Sequence, residues 1–180
     1  MRRSLFLLSL CLCLGISLAS ADTPAAATAA KPAAAGLEAL AAYAGRWQTD
    51  IQYLDTPYSK KSEAQYQLRN ACWRSAGYYA CDQFVDGESK ALLVFMYDSA
   101  KGYTSYPIPA GGGEVHPGRL IIEGKVWTFP WQTTQDGKTT YFHVVNTWDS
   151  PDSIGFRQEY SADGKQWIPM AQGHETRVTD

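Results

Sequence analysis

Polar and apolar side chains alternate along most of this chain with a period of two. Trp47, Thr49, Ile51 and Tyr53 share one face of a stretch whose other face carries Arg46, Gln48, Asp50 and Gln52, the pattern of a half-buried strand. Thr56-Pro57-Tyr58-Ser59 interrupts it. Further strand-like runs follow at 63–73, 78–85, 91–97, 103–108, 120–123, 126–132, 139–148, 154–161 and 166–178. Most are separated by short turns bearing Gly or Asp, such as Asp86-Gly87, Gly124-Lys125 and Asp136-Gly137, residues that tolerate tight backbone reversal. Run 91–97 is apolar on both faces and predicts the best-covered strand. Segment 109–118 is the long exception among the connections: Gly111-Gly112-Gly113 and Pro117 predict a mobile loop.

Before the first strand, Leu37, Leu40 and Tyr43 recur at helical spacing, and Gly45 is a natural stop. Two turns of helix are too short to stand alone, so this segment must pack on something, such as the end of a barrel. No other helical period appears, so there are no crossovers to support parallel pairing. The expectation is an all-β, antiparallel up-and-down meander barrel of 8–10 strands with a short N-terminal helix. Closure removes exposed edges; a flattened sandwich is the alternative architecture.

The N-terminus changes the picture of where this barrel works. Arg2 and Arg3 precede an apolar run from Leu5 to Leu18, and Ala19-Ser20-Ala21 forms a small-x-small site. This is the pattern of a signal peptide, residues 1–21, cleaved after Ala21. Cys11 and Cys13 follow Leu residues, which does not suit lipid attachment. Residues 22–35 are nearly all Ala, Thr and Pro and predict a disordered tether, leaving 36–180 as one domain. The expected location is the periplasm or the medium, with no transmembrane segment in the mature chain. Loss of two arginines leaves 14 basic against 18 acidic side chains. A net charge of −4 with no basic cluster argues against nucleic acid as a partner.

In an oxidising compartment the remaining pair, Cys72 and Cys81, predicts a disulfide. A two-residue turn at Ala76-Gly77 pairs Ser75 with Tyr78, and counting outward sets Cys72 opposite Cys81 in a close, non-hydrogen-bonded pair. The same count puts Tyr66, Leu68 and Asn70 on one face with Gln83 and Val85. Were that face internal, Asn70 and Gln83 would meet inside the barrel; were it external, they would be surface residues.

A short helix, a Gly-x-Trp opening the first strand at Gly45 and Trp47, a meander, and an arginine in the last strand, Arg177, together resemble the lipocalin-like (calycin) barrels. The hairpin Ser161-Ala162-Asp163-Gly164-Lys165-Gln166-Trp167 is similar to one in a group of bacterial lipocalin-like domains of unknown function. The resemblance spans about residues 37–178 and leaves the tether outside. It implies that Trp47 closes one end of the barrel with Arg177 lying across it, a cation–π contact of about 0.5–2 kcal/mol.

Little in the chain points to catalysis. His116, His143 and His174 lack metal-ligand spacing and read as isolated polar residues. His174 lies late in the chain, where the resemblance would place the iron ligand of heme-binding members, but no cofactor is expected. There is no nucleophile elbow or phosphate loop, and the Asp149 and Asp152 carboxylates fall in turns. No catalytic, cofactor or metal residues are assigned. Trp127, Phe129 and Trp131 share a strand face, with Phe156 and Tyr160 nearby. They are core, or the wall of a lumen holding an apolar molecule. Tyr66, Asn70, Gln83, Trp127, Phe129, Trp131, Phe156 and Tyr160 are the candidate lining. The leading expectation is non-catalytic binding of a small hydrophobic or amphipathic ligand. The alternatives are a protein-interaction module, an envelope inhibitor or assembly factor, using 107–118, and, third, a small isomerase-type enzyme.

Overall fold

The computed structural model describes residues 36–179; the expected signal segment (1–21) and tether (22–35) lie outside the described residues. A 3-10 helix, Leu37–Tyr43, precedes ten strands: β1 (Gly45–Tyr53), β2 (Ser62–Arg74), β3 (Tyr79–Val85), β4 (Glu88–Asp98), β5 (Gly102–Pro109), β6 (Gly118–Glu123), β7 (Val126–Gln135), β8 (Lys138–Ser150), β9 (Ser153–Ser161) and β10 (Ile168–Arg177). Each pairs antiparallel with its sequence neighbour, and β1 pairs with β10 to close the barrel. The helix is 3-10 rather than α because Leu37, Leu40 and Tyr43 repeat every three residues, and all three are buried. No helix among the described residues is long and apolar enough to cross a membrane.

The Cys72–Cys81 hairpin folds as counted. Ser75 N–H donates to Tyr78 O at 2.9 Å, Cys72 pairs with Cys81, and the two are disulfide-bonded with Cα atoms 3.9 Å apart. Asn70 pairs with Gln83 on the inner face, which settles the open choice between interior and surface. One strand differs from its pattern. β4 is not the best-covered strand: its outward Leu92 and Val94 are half-buried, and Met96 is 48% exposed. An apolar residue on an outer wall is ordinary when nothing packs over it.

The two ends of the barrel are unlike. The helix, the start of β1 and the end of β10 lie at one end, here called the base, with turns 75–78, 99–101, 124–125 and 151–152. At the other end, the mouth, lie loops 54–61, 110–117 and 162–167 and two tight turns. Several inward side chains near the base are fully covered, Trp47, Leu68 and Ile154 each at 0% exposure, while Cys72, Ile122 and Trp148 there are partly buried. Inward residues nearer the mouth, including Tyr53, Tyr66, Val85, Ala91 and Trp131, are only partly buried. The wall is weakest beside loop 110–117. There β6 pairs with β5 over Tyr103–Ser105 and with β7 over Val126–Thr128, while β7 runs on to Gln135. Pro107 and Pro109 suit this short-paired edge, since proline cannot donate to a ladder.

Candidate binding site within the barrel

The base is sealed by Arg177. Its guanidinium carbon lies 4.1 Å from the centre of the Trp47 ring. Nη1 donates to Ala44 O at 2.7 Å, and Nη2 donates to Ala42 O at 2.8 Å and Pro151 O at 3.1 Å. Nε lies 2.9 Å from Asp152 Oδ1. The arginine thus ties the C-terminal end of the 3-10 helix to the β8–β9 turn. Gly45 explains itself at this point. Its φ is +127° and a Cβ there would come within 2.6 Å of Arg177 Nη1, so the strand can open this close to the guanidinium only without a side chain. Trp47 meets Trp148 edge-on at 5.8 Å, Trp148 meets Trp127 at 5.2 Å, and Tyr43 meets Trp127 at 6.2 Å. These rings form the floor.

One inward step above the floor the chemistry changes. Thr49 follows Trp47, Asn146 precedes Trp148, Glu175 precedes Arg177, and Gln83 follows Cys81 along their inward faces. Thr49 stands directly opposite Glu175. Around the barrel, Asn146 lies two strands to one side of Glu175 and Gln83 two strands to the other side of Thr49. All four are buried, Glu175 at 0% exposure. Gln83 Nε2 donates to Asn70 Oδ1 at 3.4 Å, and Asn70 Nδ2 to Tyr43 O at 3.2 Å. Other atoms of the belt are left unpartnered. Thr49 Oγ1, Gln83 Oε1, Asn146 Oδ1 and both carboxyl oxygens of Glu175, with the Trp47 and Trp148 indole nitrogens, have no hydrogen-bond partner among the described residues. Native interiors hold few such groups, each costing about 1–3 kcal/mol. Burial pushes the Glu175 carboxyl up to about 8, so at neutral pH it is an uncharged acid that can both donate and accept.

Above the belt the lining is aromatic. Trp131 stacks on Phe142, ring centres 5.3 Å apart at 10°. From loop 54–61, Tyr58 packs edge-on against Phe142 at 5.1 Å and Tyr160 at 4.8 Å, and its hydroxyl lies 3.2 Å from Thr140 Oγ1. The strand registers put Tyr66, Asn70, Gln83, Trp127, Phe129, Trp131, Phe156 and Tyr160 all on the inner face. Asn70, Gln83 and Trp127 lie toward the base, with Trp131 and Tyr160 toward the mouth. Glu175, Thr49 and Asn146 escaped the sequence reading. Residues flanking Glu175 in β10 are polar on both faces, so alternation could not say which face was inside.

The histidines are less isolated than their spacing implied. His143 Nε2 lies 2.6 Å from Glu159 Oε2, which also meets Arg157 Nε at 3.0 Å. The His143 ring stacks on Trp167 at 3.6 Å. Partners that spacing could not show are supplied by β8–β9 register, His143 opposite Glu159. The group lies on the outer wall, where it pins the β9–β10 connection. That connection is a hydrogen-bonded turn: Ser161 Oγ accepts from Gly164 N at 2.9 Å, and Asp163 Oδ1 accepts from Lys165 N and Gln166 N. The bonds from Gln166 and Lys165, and one from the Ser161 hydroxyl, hold the Asp163 carboxyl below its ordinary range. His174 also faces outward, 2.9 Å from Ser153 Oγ, away from the barrel interior. His116, in the mouth loop, lies 3.5 Å from Glu114. Asp152 is engaged by Arg177. Among the described residues no group of three or more His, Cys, Asp or Glu is placed to hold a metal ion.

No family model and no curated protein matches this chain. Among solved structures, the crystal structure of Rv2717c from M. tuberculosis is similar. It has a TM-score of 0.50 at 14% identity, covering 81% of this chain and 99% of that one. At that identity the likeness speaks to the fold: this chain is a closed, antiparallel ten-stranded β-barrel.

Proposed function

We propose that this chain is an exported, lipocalin-like barrel that binds a small amphipathic molecule without transforming it. The ligand's apolar part lies along Phe129, Trp131, Phe142, Phe156 and Tyr160, and its polar end meets the belt of Thr49, Gln83, Asn146 and Glu175. The observation that carries this is the stacking of two unlike layers: buried polar atoms without partners beneath inward-facing aromatics, of which Phe129, Phe142 and Phe156 are buried and Trp131 and Tyr160 are partly exposed toward the mouth. A barrel evolved only for stability would fill the belt with apolar side chains or pair its polar ones. Loop 110–117, with positive φ at Gly112 and Gly113, stands at the mouth beside the weakest stretch of wall and serves as the way in. Export rests on the signal-like segment 1–21 and on the disulfide, which belongs to an oxidising compartment.

Native mass spectrometry of the mature protein, purified from the envelope or the medium without denaturant, tests the reading. The expected result is a released small molecule that quenches tryptophan fluorescence when added back to stripped protein. A bare protein mass, with no quenching by amphiphiles of several chain lengths, would remove it.

A further inference from the structure

Every unpartnered oxygen of the belt can accept a hydrogen bond, and the Thr49 hydroxyl and the protonated Glu175 carboxyl can also donate one. These oxygens are five: both of Glu175, with Gln83 Oε1, Asn146 Oδ1 and Thr49 Oγ1. The other two unpartnered atoms are indole N–H groups belonging to the floor. An alcohol brings a single O–H donor, and a carboxylate brings none. An alkylammonium carries three N–H donors and no acceptor.

The inward neighbours of Glu175 are Thr49 and Trp47 on β1, Ile154 and Phe156 on β9, and Gly173 and Arg177 on β10. Arg177 alone among them is ionised. It is already held by the carbonyls of Ala42, Ala44 and Pro151 and by Asp152. Among the described residues, these neighbours leave no free positive charge for the carboxyl of Glu175.

We infer that the ligand's polar end is a protonated amine, seated against Glu175 and Thr49 with Gln83 and Asn146 to either side, and its alkyl part running toward the mouth. This rests on the amphiphile reading and narrows it to organic cations. The Glu175 carboxyl is fully covered in the free chain, so a covering side chain must swing away as the head group arrives. Association is therefore slower than diffusion. The seated cation also discharges the Glu175 proton to solvent. Amine affinity then rises with pH, by up to tenfold per unit, until about 8, and levels off while the amine stays charged, to about pH 10. A neutral ligand shows the opposite trend, flat at first and weakening above about 8.

Calorimetric and tryptophan-fluorescence titrations of the mature protein with octylamine, octanol and octanoate, from pH 6 to 9, separate these cases. Octylamine is expected to bind at least about thirtyfold more tightly than octanol at pH 8.5, with about one proton released per molecule bound at pH 7. Glu175→Gln, a neutral isostere whose fold is checked by near-ultraviolet circular dichroism, is expected to bring the two within threefold. Octanol or octanoate binding as tightly as octylamine overturns the inference while leaving amphiphile binding intact. So does an amine preference that survives Glu175→Gln. If none of the three binds, the amphiphile reading falls and takes this one with it.

Discussion

Arg177 and Glu175 stand two residues apart on the same inward face of the same strand, and their surroundings are opposite. Arg177 gives its donors to three carbonyls, pairs with Asp152 and covers Trp47. Glu175 is as deep as any residue of the barrel and bonds to nothing described. The difference separates a layer built for closure from one that is not. At the base Arg177 is fully engaged, whereas one step inward Thr49, Asn146 and Glu175 hold buried oxygens without partners, which subtract from stability. Native interiors hold few such groups.

The largest expected effect falls on the closure side. Trp47→Ala removes the ring on which Arg177 and Trp148 pack, and should cost about 4 kcal/mol, read as a lowered urea midpoint at unchanged m-value. A loss below about 1 kcal/mol would mean that the base does not depend on the indole.

Glu175→Gln should act in the opposite direction. Its carboxyl titrates near 8 in the folded chain against 4.5 for the free group. Between those values the unfolded chain has released the proton and the folded chain has kept it, so stability falls as pH rises, by about 1.4 kcal/mol per unit. The loss is absent below about 4.5 and complete above about 8. The variant should therefore be more stable than the parent by on the order of 3 kcal/mol at pH 7, with the gain vanishing by pH 4.5. Melting curves across that range that stay parallel would contradict the burial of an unpaired carboxyl.

Gly45→Ala sharpens the closure side again. Its new methyl would press on Arg177 Nη1 at a backbone angle that alanine rarely adopts, costing about 2 kcal/mol. Restoration of stability by a second change, Arg177→Ala, would identify the close approach as the cause.

The smallest effect belongs to the mouth. Tyr58 is 51% exposed, and Tyr58→Ala should shift stability by less than about 1 kcal/mol. It removes the ring that spans Phe142 and Tyr160, so ligand dissociation should quicken several-fold. Unchanged off-rates would take Tyr58 out of the binding wall.

Much of this barrel was legible in the chain. Alternation from Trp47 to Tyr53 and the turns at Asp86-Gly87, Gly124-Lys125 and Asp136-Gly137 determine strands and connections, because side-chain direction and turn backbone are local properties. The Cys72–Cys81 pairing was legible for the same reason: register in a hairpin is counted outward from its turn. The seal of Arg177 on Trp47 came from resemblance, since nothing local links residues so far apart.

What alternation left open was decided by closure. In β10, Gln172, His174 and Thr176 alternate with Gly173, Glu175 and Arg177, so both faces are polar enough to meet water. The pairing of β10 with β1, which follows Trp47, turned Glu175 inward and His174 outward. The same long-range registers put His143 on Glu159 and left Met96 on an uncovered outer wall. A period of two states that neighbours point in opposite directions. Which direction is the interior depends on where the first and last strands meet, and that is settled only when the whole sheet curls and joins.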